Sequence, residues 1–193
     1  MKDCHLREAL KQKLSVRYSG DSNTRILEEL AIRHGAARVD VAVVNGIIHG
    51  YELKSDHDTL KRLPAQAKIY SSVLDRITLI VGERHFNEAI DIIPDWWGVK
   101  IAKMSSRGGL HFTEIRRARN NPSQEILAVS KLLWREEALT LLEEVGEAEG
   151  LRRKPRAMVY AKLVEVVDPV LIRDRVRHHL RTRKNWRSDE QQM

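Results

Sequence analysis

The stretch Arg38-Val-Asp-Val-Ala-Val-Val-Asn-Gly-Ile-Ile-His-Gly-Tyr-Glu-Leu-Lys54 decides how the chain reads. Val39, Val41, Val43 and Val44 are β-branched and bounded by turn formers, so the first half predicts a strand. Asn45-Gly46 is a strong hairpin signal, and a second strand is expected from Ile47 to Ser55. Asp40, Glu52 and Lys54 sit inside this apolar ribbon. A charge on a buried strand costs several kcal/mol unless it is paired or holds a metal.

The register decides whether these charges meet. Glu52 and Lys54 share a face, because strand side chains repeat every two residues. A two-residue Asn45-Gly46 loop pairs Asp40 with Tyr51 and turns Asp40 to the opposite face. A three-residue loop, 44–46, pairs Asp40 with Gly50 and brings all three charges to one face. Such a loop is a type I turn closed by a left-handed residue, a position that suits Gly46. A bulge near Gly50 would serve as well. One of these irregularities is expected. Two carboxylates and a lysine can then hold Mg²⁺ or Mn²⁺ and a phosphate.

Asp40, followed by Glu52-Leu53-Lys54 after a hairpin, resembles the PD-(D/E)XK nuclease signature, with Val39 where the motif name has Pro. Gln66-Ala-Lys-Ile-Tyr70 resembles the Gln-x-x-x-Tyr extension of the RecB/Cas4-like branch. Four segments, 37–46, 50–56, 62–66 and 93–98, resemble more closely a small, largely uncharacterised bacterial and phage family of predicted nucleases. This similarity runs from Asp3 to Arg187. It implies an α/β fold: a restriction-endonuclease-like αβββαβ core with a mixed central sheet, plus a small C-terminal helical subdomain. It also implies a metal-dependent nuclease that hydrolyses phosphodiester bonds, in DNA first of all. Asp40, Glu52 and the Leu53 backbone carbonyl would hold the metal, with Glu29 or Glu8 as a further ligand. Lys54 would position the attacking water, and Gln66 and Tyr70 would order the substrate. Two other readings stand beside it. One is a nucleic-acid-binding module that keeps the fold without chemistry; the other is a subunit of a repair or phage-defence assembly.

The chain has 193 residues, a single cysteine and a net charge of +7. Cys4 leaves no disulfide framework, and no Cys/His spacing suits zinc. No long apolar run suggests a signal peptide or membrane span, so a cytoplasmic protein is expected. Charge is uneven. Residues 1–150 hold 22 Lys+Arg and 22 Asp+Glu, whereas residues 151–193 hold 12 and 5. A basic terminal segment suits a polyanion partner.

Leu6, Leu10 and Leu14 predict an amphipathic helix over 3–18. Thr24 to Ile32 fits helix or strand; strand is chosen because the resemblance asks for it. Asp58 or Thr59 is expected to cap a helix over 60–74 that carries Arg62, Gln66 and Tyr70 on one face. A covered strand over 76–82, a short helix over 85–93, an edge strand from Val99 and a hairpin through Gly108-Gly109 follow. Trp96-Trp97 is read as a corner anchor rather than a base-stacking pair. A nuclease-like domain is expected over 1–120, and a basic helical subdomain over 121–193. In the latter, Arg173, Arg177, Arg181, Arg183, Lys184 and Arg187 suit phosphate contact. The leucines of 132–142 suit internal packing, a protein partner or a homo-oligomer.

Overall fold

The computed structural model describes residues 3–105 and 109–184. Arg187 and the Gly108 half of the expected hairpin turn lie outside the described residues. The elements run α1 (Asp3–Arg17), β1 (Arg25–Ile32), β2 (Ala37–Val44), β3 (Ile48–Lys54), α2 (Leu63–Ser71), β4 (Arg76–Gly82), α3 (Phe86–Ile92), β5 (Gly98–Met104) and β6 (Leu110–Arg116). Four helices follow: α4 (Ile126–Ser130), α5 (Arg135–Glu144), α6 (Arg156–Val166) and α7 (Pro169–Thr182). The strands form one open six-stranded sheet in sequence order. β3, β4 and β5 are parallel, and the other neighbours are antiparallel. The chain is therefore α/β with a mixed sheet.

Two apolar layers cover the sheet. Leu6, Leu10 and Leu14 of α1 pack with Val41, Val43, Tyr51, Leu53 and Ile80 on one face. The other face carries α2, α3 and the four C-terminal helices in one continuous cluster from Leu27 to Leu180. Leu132, Leu133, Leu139, Leu141 and Leu142 all belong to this interior. The connector is tied down as well: the Asn121 side-chain amide donates to the Ser71 and Leu74 carbonyls at 2.6 and 2.7 Å. Trp97 is fully buried and Trp96 nearly so, and their rings meet edge to face at the start of β5. No helix among the described residues is long and apolar enough to cross a membrane.

Helix α2 is shorter than its periodicity suggests. It starts at Leu63, with Pro64 in its first turn and no side-chain cap. Asp58 instead accepts from the Ser55 N–H at 2.6 Å and stitches the preceding loop.

The hairpin adopts neither register drawn from the sequence. Val44 pairs with Ile48 and Val41 with Tyr51, so the loop is 45–47. The Asn45 side chain closes this loop by accepting from the Ile47 N–H at 3.2 Å. Gly46 is not in the left-handed region, which corrects the expected turn. Continued by one pair, this register sets Asp40 opposite Glu52, on the same side of the sheet.

The irregularity lies one strand further out. Glu29 of β1, opposite Asp40, is left out of the ladder and has φ 51°. The inward residues on β1 are Leu27, then Leu30 and Ile32; on β2 they are Val39, then Ala42 and Val44. A step of three replaces the step of two on both strands. The two strands thus flip phase together at Glu29 and Asp40, and the register is kept on either side.

Candidate functional site

At this double flip the β2–β3 ladder ends, and side chains take over from backbone. The Asp40 carboxylate accepts from the Leu53 N–H at 2.8 Å, in place of a ladder carbonyl. Tyr70, from α2, reaches the freed Arg38 carbonyl. Between α1 and α2 the parted strands leave a cleft of about 580 Å³. Asp3, Arg7, Glu29, Asp40, Glu52, Lys54, Arg62 and Gln66 line it.

Five predicted residues converge here. Glu52 is 1% exposed and Lys54 5%. Glu52 Oε1 accepts from Lys54 Nζ at 2.6 Å and from Gln66 Nε2 at 2.7 Å. Its Oε2 is 2.8 Å from the Tyr70 hydroxyl, whose single proton is shared with the Arg38 carbonyl. Gln66 also donates to Tyr70 at 3.1 Å, while its own Oε1 is buried without a partner among the described residues.

Asp40 is held from the other side by Arg7, which sequence reasoning missed. Arg7 Nη2 lies 2.9 Å from Asp40 Oδ1, and Nη1 pairs with Glu29. The available signal was Asp3 at helical spacing, 3.4 Å from Arg7, an i,i+4 pair facing the sheet. Glu29 therefore reaches the cleft wall, where it pairs with Arg7. Glu8 is exposed on α1 and does not line the cleft.

Burial pushes the Asp40 carboxyl up to about 7, and the nearby Glu52 charge adds to this; the Leu53 N–H, Arg7 and Lys54 oppose it. Tyr70 is raised well beyond its ordinary range, first by burial and then by Glu52. Each carboxylate oxygen of Asp40 and Glu52 already accepts from a protein donor. Among the described residues no three His, Cys, Asp or Glu side chains are grouped to hold a metal. As arranged, the donors do not fit Mg²⁺ or Mn²⁺, which would have to displace Arg7 and Lys54. Leu53 meets Asp40 through its N–H.

His49 faces the opposite side of the sheet. It bonds Thr78 at 2.9 Å and stacks on Tyr51 with centroids 4.5 Å apart. Burial, then Arg76 and Lys100, lower it to about 3.

The predicted phosphate-contact residues on α7 are largely engaged within the protein. Arg173 donates to Gln124 at 2.7 Å, and Arg177 pairs with Asp75 and Asp174 at 3.3 and 3.2 Å. Arg181 donates to Asn23 at 2.9 Å. Arg183 is buried, bonds Glu137 and the Leu132 carbonyl, and lies over the Trp134 ring. Lys184 is exposed.

The family model described as bacteriophage P4 protein cII matches residues 2–191. The chain belongs to this phage P4 cII family. A relative in Enterobacteria phage P4, "Protein cII", is 27% identical over 125 residues, which are 65% of this chain and 47% of that protein. The match thus spans about half the length of this curated relative. No solved structure matches.

Membership of the P4 cII family overturns the resemblance to PD-(D/E)XK nucleases and to the small family of predicted nucleases. With it go the nuclease and hydrolase readings and the catalytic roles they implied. The physical source of the error is visible. Asp40, Glu52, Lys54, Gln66 and Tyr70 do converge, as the short motif asks. In this family member the same spacing builds a network that neutralises itself through Arg7 and Lys54.

Proposed function

We propose that the chain is a nucleic-acid-binding module that works without hydrolytic chemistry. One observation carries this reading. Among the described residues of the C-terminal helical part and its linkers, Lys131, Arg153, Lys154, Arg156 and Lys184 have no carboxylate at ion-pairing distance, a property shared by Lys13, Lys61, Arg62 and Lys68 nearer the N-terminus. Cations without internal counter-charges attract a polyanion, and phosphate contact supplies affinity without sequence information. The Arg173–Arg181 stripe holds α7 against the sheet and so presents this surface. The acidic cleft acts as a brace between α1, α2 and the parted strands. For the fold, the order α1-β1-β2-β3-α2-β4 supports a restriction-endonuclease-like core as a structural relationship only. Divalent-metal binding at Asp40 and Glu52 is not part of this reading, because Arg7 and Lys54 would both have to give way.

The test is binding of labelled single-stranded and duplex oligonucleotides over a salt series, with and without Mg²⁺. Affinity should fall linearly on a log–log plot against salt and be indifferent to Mg²⁺ beyond its ionic strength. No binding at about 50 mM salt, where phosphate contacts are strong, overturns the proposal.

A further inference from the structure

A second cleft, away from the acidic one, opens between the end of β1 and helices α5, α6 and α7. Its volume is about 220 Å³. His34, Lys131, Trp134, Arg156, Tyr160 and Arg183 line it, and among the described residues no carboxylate does. Arg183 is neutralised by Glu137. Among the described residues Lys131 and Arg156 have no carboxylate partner, and Arg156 meets His34 Nδ1 at 3.4 Å. His34 follows Arg33, and both hold left-handed backbone, φ 49° and 58°. Two successive non-glycine residues in that region are costly, and here they keep an imidazole over the cleft. Its far side is braced by Tyr160, 5.8 Å away ring to ring. Trp134 is 53% exposed, although Arg183 covers it at 4.5 Å.

From this geometry we infer that the cleft is a nucleotide-binding subsite for single-stranded nucleic acid, with a backbone phosphate held by Lys131, Arg156 and His34 and a base stacked on Trp134. The inference rests on the proposed nucleic-acid binding and names where one unit of the strand sits. Size and chemistry select this occupant. A volume of about 220 Å³ falls below the usual 300–1,000 Å³ of pockets that enclose a whole organic ligand. It suits a phosphate and sugar, with the base outside on an indole face. Base–aromatic stacking on a positively charged groove is how sequence-tolerant single-strand binders work. A base stacked within a duplex does not offer its face to Trp134. Burial, Arg156 and Lys131 hold His34 below its ordinary range. A phosphate would reverse the two cationic contributions and draw the imidazole pKa up.

The experiment uses the full chain, with fluorescence anisotropy of labelled oligo-dT and oligo-U over a salt series. Lys131→Gln, Arg156→Gln and Trp134→Ala are compared with wild type after thermal melts confirm folding. Lys131 forms no ion pair among the described residues, so its variant keeps the test valid if Trp134→Ala unfolds. Stacking loss at Trp134 should weaken binding about tenfold. Loss of one phosphate contact in the Lys131 or Arg156 variant should reduce the salt slope by about 0.7. Proton NMR of His34 should show its pKa rise with bound oligonucleotide. Unequal affinity for the two oligomers identifies DNA or RNA as the source and still supports the subsite. Wild-type binding with unchanged slopes in both cation variants overturns the subsite and leaves the broader reading standing. No wild-type binding overturns both.

Discussion

Replacing Lys54 by methionine tests the claim that the acidic cleft is a self-neutralised brace. Lys54 and Glu52 are 5% and 1% exposed and bonded at 2.6 Å. Methionine keeps much of the lysine stem's packing and removes the ammonium. A buried carboxylate is then left with two neutral donors, Gln66 and Tyr70. Removing one partner of a buried pair costs about 3–5 kcal/mol. The surviving donors put this case at the low end, because hydrogen bonds to a charged group are worth about 1.5–3 kcal/mol each. A loss of about 3 kcal/mol corresponds to a Tm drop of roughly 6–12 °C in a chain of this size. Glu52→Gln together with Lys54→Met removes both charges and should return most of the loss, a coupling of about 2 kcal/mol. Urea and thermal melts of the four proteins in the cycle measure this. A single variant within about 1 kcal/mol of wild type, or a double variant no better than the single, would refute the brace.

Asp40 gives a pH prediction. Its folded pKa of about 7 lies above the ordinary 3.8, so between these values the folded state binds the extra proton. Its contribution to stability is then greatest at low pH and is lost as pH rises from about 4 to about 7. Asp40→Asn should flatten that slope in melts across the range; an unchanged slope assigns it to another group. Millimolar Mg²⁺ should leave the Tm nearly unchanged in wild type, since a bound ligand would raise it by mass action; a large saturable rise would put a cation between Asp40 and Glu52. Arg183→Met should destabilise by about 3 kcal/mol by leaving Glu137 partly buried without its main partner; stability near wild type in a urea melt would remove Arg183 from the internal framework. Trp97→Ala should cost about 3–5 kcal/mol, as for other fully buried aromatics, and a loss under 1 kcal/mol would mean that the corner repacks.

Local pattern carried much of this molecule. The valines of β2, the leucine spacing of α1 and the apolar run of β4 each announce their element, and the tandem Trp is the corner anchor its context suggests. What failed was non-local. The 45–47 loop and the matched flip at Glu29 and Asp40 depend on two strands adjusting together, and no window on one strand contains that. Arg7 lies 22 residues from Glu29 and 33 from Asp40 in sequence, so the three ionisable residues looked free for a metal. The arginines at four-residue spacing on α7 read as a solvent-facing stripe because Asp75, Gln124 and Asn23, which receive them, lie far off in sequence. A pattern of three polar residues after a hairpin states where charge is placed, and leaves open what balances it.

The handover at the end of the β2–β3 ladder makes Leu53 an unusual amide. Its N–H is held by the Asp40 side chain at 2.8 Å, in place of a backbone carbonyl. Native-state deuterium uptake at that one site would therefore follow the state of a single carboxyl group, while neighbours along β3 report the opening of the strand. A spectroscopist could watch the acidic cleft through that proton alone, without perturbing any residue in it.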